Sequence, residues 1–401
     1  MSRVLLACAS DWQAPARLPK IFRRAGLEVH AFCPRDAGIV HTKYVDRAHE
    51  APADIAAFAD ALAHYLTENE GVYEKVIAID DPLLAHLTHR RSEAWTADLL
   101  PIDRESRFAE IVASKAALVG WASDLALRIP PSRVVRTKEE AAHAMRSLGF
   151  PAILKVDCSF AGMGVALVES SNDIARAWDA IRPTGAVVVQ AFIRGELGNT
   201  AVLYSKGSPV AWMSAFKSRT WPGPFGPSCA RKFVDHEDLA PMIARFGAET
   251  GYDGFVAFDW IVDGCDRAWI LEVNARPVPA LHMGAYAGVD FADAIARWLS
   301  PGARHARPAM RSIANPAIFP MFPEDFHRAI TDADDAGLDA FRKGNAGYDD
   351  IPWDDPPLLA HLLRRRSTKR AFDRILGTIE DHATERSAAV RARKRDRLRE
   401  L

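Results

Sequence analysis

Cysteine is scarce: Cys8, Cys33, Cys158, Cys229 and Cys265 are the five in 401 residues, and none stands in a Cys-x-x-Cys pair. An odd, scattered set excludes a disulfide framework and offers no zinc-site spacing, so buried thiols in a reducing compartment are the expectation. Cys158 and Cys229 are the two to watch, because they fall in segments proposed below for the active site. Long apolar runs are missing as well. No stretch reaches the roughly 18 residues of a membrane span, and the first apolar stretch breaks at Asp11, short of a signal peptide's apolar region. A cytoplasmic protein without a membrane partner is expected. Charge of one sign is absent: the formal net charge is -1, and nothing global steers the chain towards nucleic acid or an anionic surface. Two phosphate-binding signatures are also lacking. No Gly-x-Gly-x-x-Gly follows the first strand and no Gly-Lys-Ser/Thr opens a helix, which excludes a dinucleotide fingerprint and a P-loop.

What is present is an ordinary globular composition, 49% hydrophobic and 26% charged, enough for two or three lobes. The first hundred residues alternate strands and helices: strands at 3–8, 28–33 and 75–79, helices at 19–25 and 53–67. Such a doubly wound layer binds ligands at the carboxyl ends of its strands, near Ser10, Asp11, Pro34 and Asp80. From Phe108 a helix contains Ser114 and Lys115, and a second helix spans 138–147 with Gly149 as its C-cap. Strands at 150–156 and 165–168 flank a glycine loop from Ser159 to Gly164, a flap in form. A strand is expected over 186–196, two more at 199–204 and 209–216, and a closing helix at 291–299. Lys217 to Ser228 is too rich in Pro and Gly for regular structure and reads as an irregular lid bearing Lys217, Arg219, Arg231 and Lys232, or as an ordinary exposed loop.

The densest chemistry lies in Gly254–Val262 and Trp269–Arg276. Both alternate like strands, and in Glu272-Val273-Asn274 the first and third side chains share a face. Asp259, Glu272 and Asn274 are hard oxygen donors of the kind magnesium accepts while keeping positions open for phosphate and water.

Taken in chain order, Lys115, Lys155 with its glycine loop, the strand before Glu196, then Asp259, Glu272 and Asn274 resemble the motifs of the ATP-grasp superfamily over about residues 108 to 300. The resemblance implies an α/β and α+β chain with the ATP-grasp fold, divided into a Rossmann-like lobe (1–105), a small subdomain with the glycine loop (106–185), a large subdomain with the metal site (186–300) and a C-terminal accessory segment (301–401). It implies ATP contacts from Lys115, Lys155, Gly162 and Gly164, with the backbone of Gln190 and Phe192 on adenine and Glu196 on the ribose. Magnesium, with manganese as a substitute, would be held by Asp259, Glu272 and Asn274. Arg276 and Arg231 would hold an acyl phosphate, and Arg219, Ser228 and His282 are candidate substrate contacts, His282 being either a base or a packed loop residue.

The implied activity is an ATP-dependent carboxylate–amine ligase releasing ADP and phosphate, with small-molecule substrates and a homodimeric arrangement. A biotin carboxylase or carbamoyl phosphate synthase-like enzyme using bicarbonate, and a non-catalytic ATP sensor, stay open beside it. The last hundred residues carry no recognisable chemistry. An aromatic-anchored linker over 348–357, a short helix from Leu358 and a cationic tail (Arg364–Arg366, Arg391–Arg395) are expected, the tail without stacking aromatics for nucleic acid.

Overall fold

Continuous aliphatic runs make a parallel sheet when helices cover both faces, and the N-terminal strands show why. The structure is a computed structural model describing residues 2–10, 14–159, 164–224, 226–300 and 317–377. Strands β1 (Arg3–Ala7), β2 (Glu28–Cys33), β3 (Arg47–Glu50) and β4 (Lys75–Ala78) lie in the order β3-β2-β1-β4, every pair parallel. Val4 and Leu6 pack towards Ile21 and Phe22 of the helix Pro19–Arg24, and Leu5 and Ala7 towards Phe58 and Leu62 of the helix Ile55–Glu68. Burial on both sides removes the alternation seen in half-exposed strands. β3 was not expected. Its Arg-Ala-His-Glu sequence is mostly exposed at the sheet edge and carries no apolar period to read.

The second sheet holds β5 (Ser132–Val135), β6 (Ala152–Val156), β7 (Val165–Val168) and β8 (Val187–Ala191) in the order β5-β8-β6-β7, all antiparallel. The helix Lys138–Leu148 begins where Thr137 accepts the Glu140 amide and ends at Gly149, whose φ of 90° suits glycine. The single strand expected over 186–196 is two. β8 stays in this sheet, and the chain crosses at residues 192–194 before β9 opens in the next. Gly195 starts β9 because a Cβ there would lie 1.9 Å from the Val262 carbonyl oxygen.

The third sheet is the largest: β9 (Gly195–Ser205), β10 (Ser208–Thr220), β11 (Ser228–Val234), β12 (Gly254–Asp263), β13 (Ala268–Asn274) and β14 (Ile318–Pro320), ordered β13-β12-β9-β10-β11-β14. On one face Val256, Phe258 and Trp260 pack against Ile243 and Phe246 of the helix Leu239–Thr250. On the other, Leu203, Met213, Phe233, Phe255 and Ala257 meet the N-terminal lobe and the helix Phe291–Trp298. The lid expected to be irregular from Lys217 to Ser228 is an extended β10–β11 hairpin. Lys217 to Thr220 pair with Ser228 to Arg231, and the Trp221 amide donates to the Pro227 carbonyl at 3.1 Å beyond them.

Residues 317–377 form β14 and five short helices around Phe322, Phe326, Phe341 and Phe372. They are fastened to the lid by Asp325, which is fully buried and takes Arg219 at 3.0 and 2.6 Å and Arg328 at 2.6 Å. Removing one partner of a buried pair strands the other. Asp325→Ala should cost about 3 kcal/mol, the low end for a broken buried pair, because Arg328 keeps Asp334 at 2.8 Å. A lower denaturant midpoint at unchanged m-value is the expected result. Among the described residues no helix is long and apolar enough to cross a membrane.

Candidate functional site

At one end of the large sheet the inward face changes from apolar to charged. Asp259 of β12 lies directly opposite Glu272 of β13 and opposite Asn199 of β9, while Lys217 of β10 faces Arg231 of β11. Asn274 shares a face with Glu272 by the two-residue period. A row of polar side chains therefore crosses five strands. Asn199 Nδ2 donates to Asp259 Oδ1 at 2.6 Å, and Lys217 Nζ pairs with Asp259 Oδ2 at 3.1 Å. Asp259 and Glu272 are 23% and 28% exposed, open to a ligand yet largely shielded from bulk water.

Like charges directly opposite on neighbouring strands repel. Both lysines of the small lobe come to offset them. Lys115 Nζ stands 3.0 Å from Glu272 Oε1, and Lys155 Nζ donates to the Leu271 carbonyl at 3.1 Å. Ser114 and Lys115 stand at the start of a helix and not in its interior. A 3-10 turn, Ala109–Val112, comes first, and Ser114 is the N-cap of the helix Lys115–Trp121, accepting the Ala117 amide. Asp157, just after β6, accepts from Ser114 Oγ at 3.0 Å and the Ala116 amide at 2.8 Å. That helix start is thereby fixed to the flap, and its first residue is aimed at β13. The sequence held a signal for this: Ser before an apolar run is an N-cap pattern.

The donor set suits magnesium. Two carboxylates and an amide on neighbouring strands are hard oxygen donors, and Asn274, Glu272, Lys115, Ser114 and Asp81 line one cleft. Among the described residues no group of three or more His, Cys, Asp or Glu side chains could hold a metal ion. Burial pushes the Asp259 carboxyl up, but Lys217, the Asn199 hydrogen bond and Arg231 outweigh it and hold the group below its usual value. The carboxylate is thus kept ionised.

Lys155 is 9% exposed, and burial, opposed by Glu272 and Asp259 but assisted by Lys115 and Lys217, lowers its pKa to about 8. Below that value the ammonium is already charged; above it, anion binding must first draw in a proton. Affinity for a polyphosphate should therefore be flat to about pH 8 and weaken above it. Calorimetric titration at pH 7 and 9.5 in buffers of different ionisation enthalpy should show proton uptake only at the higher pH.

The remaining expected site residues divide. Gly164 adopts φ 75°, and a Cβ there would meet Val156 at 3.0 Å, so the flap needs glycine at this point. Gly162 and Asp11, like the tail 391–395, lie outside the described residues. The Gln190 side chain is buried and donates to Ser132 Oγ at 3.1 Å. The Phe192 amide donates to the Pro151 carbonyl at 3.3 Å and so is engaged within the protein. Glu196 is exposed on β9 opposite Val262. Arg276 points to the N-terminal lobe, where its Nε meets Asp81 Oδ1 at 2.7 Å. Arg219 is held by Asp325, and Ser228 Oγ donates to the Ala230 carbonyl at 3.0 Å. His282 is anchored on both nitrogens, Nδ1 to Pro279 O at 2.8 Å and Nε2 to Asp350 Oδ1 at 2.7 Å, as a packed loop histidine. Cys158 is exposed at the cleft, and Cys229 is buried with its Sγ 3.4 Å from Asp325 Oδ1. Sequence reading missed Asn199, Asp157 and Asp81, single polar residues whose partners are remote in the chain.

No protein-family model matches the chain. It is 29% identical over 185 residues to the D-alanine–D-alanine ligase of Pseudomonas entomophila (strain L48), covering 43% of this chain and 58% of that protein. It is 25% identical over 253 residues to the formate-dependent phosphoribosylglycinamide formyltransferase of Azoarcus sp. (strain BH72), 58% of this chain and 62% of that one. The chain spans about three-fifths of the length of the curated relatives it matches. Among solved structures, the biotin carboxylase domain of Hydrogenobacter thermophilus 2-oxoglutarate carboxylase, crystallised with MgADP and bicarbonate, superposes with a TM-score of 0.61 at 16% identity, covering 78% of this chain and 72% of that one. An L-amino acid ligase from Bacillus licheniformis gives 0.55 at 17% identity, with 75% of each chain covered. At these identities the structural likeness establishes the fold.

Proposed function

We propose that this chain, whose fold is that of the ATP-grasp enzymes it resembles, is an ATP-dependent ligase joining a small-molecule carboxylate to an amine through an acyl phosphate. The observation that carries the reading is the facing pair Asp259 and Glu272 with two lysines of the small lobe, Lys115 from a helix start and Lys155 from β6, reaching the same strand. A carboxylate is a poor electrophile, and phosphorylation makes it reactive. Phosphoryl transfer asks a protein chiefly for charge neutralisation and alignment.

Asp259, Glu272 and Asn274 would hold magnesium, which supplies charge against the phosphate oxygens. Lys115 and Lys155 bind the same anion from the small lobe, as ammonium groups placed by the helix start and by β6. Gly164, with no side chain and a positive φ, would let its backbone approach phosphate closely. Arg231, on the lid strand, orients the acyl phosphate. Arg276 reaches it if the Asp81 pair opens, and otherwise ties the metal strand to the N-terminal lobe. Glu196 is kept as the ribose contact, while Arg219 and Ser228, proposed as substrate contacts, are engaged within the protein by Asp325 and the Ala230 carbonyl. The same reading puts the enzyme in the cytoplasm as a homodimer.

The test is ADP release from MgATP with a panel of amino acids as carboxylates and hydroxylamine as acceptor, with and without bicarbonate. Hydroxamate with stoichiometric ADP supports the ligase. ADP release that requires bicarbonate would replace it with a carboxylase-like reaction, and nucleotide binding with no ADP formed would leave a sensor.

A further inference from the structure

A cavity of about 270 Å³ opens between three parts of the chain that are remote in sequence: the helix Pro19–Arg24, the 3-10 turn Pro279–Ala287 after β13, and residues 349–358 of the C-terminal segment. A single water needs about 10–15 Å³, so the space admits a small organic molecule. None of its lining residues lines the cleft beside Glu272 and Asn274.

The walls are opposite in charge. Lys20, Ile21 and Arg24 share one helix face by their i,i+3 and i,i+4 spacing and line one side, while Asp349 and Asp354 line another. Part of this charge builds the frame. Lys20 Nζ pairs with Asp354 Oδ2 at 2.8 Å, and Arg17 Nη1 donates to the Asp350 carbonyl at 2.8 Å. The Asp350 carboxylate accepts the Phe322 amide at 2.6 Å and holds His282, and Asp355 accepts the Lys43 amide at 3.1 Å. Three lining groups are left over. Asp349 is exposed and, among the described residues, has no hydrogen bond or ion pair. The Tyr286 hydroxyl has no hydrogen bond either, although its ring is packed 4.4 Å from that of Phe319. Arg24 is 56% exposed and is held by Asp290 at 3.3 Å.

Four aspartates repel a polyanion such as a nucleotide, and Arg17, Lys20 and Arg24 repel a polycation. A molecule with one ammonium and one carboxylate satisfies both walls. Ile21, Ala285 and Leu358 supply an apolar surface for its body. We propose that this cavity binds a small zwitterion, an amino acid or short peptide, with its ammonium on Asp349 and the Tyr286 hydroxyl and its carboxylate on Arg24. The site is separate from the metal cleft and stands independently of the ligase reading. Because its walls belong to the N-terminal lobe and the C-terminal segment, the occupant fastens the two together and stabilises the fold.

Differential scanning fluorimetry of the full chain without nucleotide, against the twenty standard amino acids and their glycyl dipeptides, should find at least one compound that raises the melting temperature. By calorimetry that compound's Kd should weaken about tenfold or more in Asp349→Asn and in Arg24→Gln, each variant losing a charge-assisted hydrogen bond at an exposed position. Ala285→Trp, which fills the space from another exposed position, should abolish binding. Glu272→Gln, altered in the metal cleft, should bind the compound like the wild type. No stabilising compound, undiminished binding in the cavity variants, or loss of binding in Glu272→Gln would each overturn the proposal. Stabilisation by putrescine or inorganic phosphate but by no zwitterion would overturn it too, through its ligand class. Zwitterion binding lost in the cavity variants, in a chain that forms no ADP from MgATP, would leave this site standing and remove the ligase reading.

Discussion

Glu272→Gln should abolish turnover, with kcat lowered by about 10²–10³-fold or more, while the protein stays folded. The amide keeps the shape of the side chain and removes one negative charge from the ion-binding pair. Because Glu272 stands opposite Asp259 on the next strand, its loss also relieves a like-charge repulsion. The lost repulsion and the lost ion pair with Lys115 act in opposite directions, so the apo protein should melt close to the wild-type temperature. What disappears is the extra stabilisation that magnesium adds to bound ADP, a linkage effect set by ligand affinity. Differential scanning fluorimetry with ADP, with and without magnesium, reads this directly. Undiminished turnover, or an unchanged magnesium-dependent shift, would remove Glu272 from the metal site.

Lys155→Ala carries the second large effect. The ammonium is almost enclosed, makes its one described hydrogen bond to the Leu271 carbonyl, and sits among Glu272, Asp259, Lys115 and Lys217. Hydrogen bonds to charged groups contribute about 1.5–3 kcal/mol, so the apparent ATP constant should rise about 10- to 150-fold. The variant should also lose the weakening of nucleotide binding above pH 8, because the group that titrates there is gone. Both results from one substitution would tie the affinity and the pH limb to the same nitrogen. Unchanged affinity at pH 7 would take Lys155 out of the nucleotide site.

Much of this was legible in the residues because it depends on local period. Gly254–Val262 and Trp269–Asn274 alternate, so their pairing and the shared face of Glu272 and Asn274 follow from strand geometry. The hairpin β6–β7 and the N-terminal strands read as cleanly, since aliphatic runs bounded by Gly, Pro or Asp leave few alternatives. Elements without such a pattern did not show. β3 is polar and exposed, and the continuation of β10 through Thr220 is hidden by the Pro and Gly of the turn that follows it. The break between β8 and β9 depends on a close approach of Gly195 to Val262, a contact across 67 positions in the chain (262 minus 195).

Long-range ion pairs are the other class that sequence cannot disclose. Arg276 with Asp81 and Arg219 with Asp325 join residues 195 and 106 positions apart. They recast two cations expected at the substrate as struts between lobes. The C-terminal segment is the largest such gap: none of its residues forms a motif, yet its first strand extends the sheet beside Arg231 and its first long helix begins at Glu324.

The account turns on one ion held by β12 and β13 together with a nucleotide. Titration of Mn2+ into the protein with a non-hydrolysable ATP analogue, followed by electron paramagnetic resonance, measures that ion without requiring knowledge of either organic substrate. The account predicts tight Mn2+ binding that appears only with nucleotide and weakens at least about tenfold in Glu272→Gln. Binding of the same strength and stoichiometry in the variant and the wild type would contradict it.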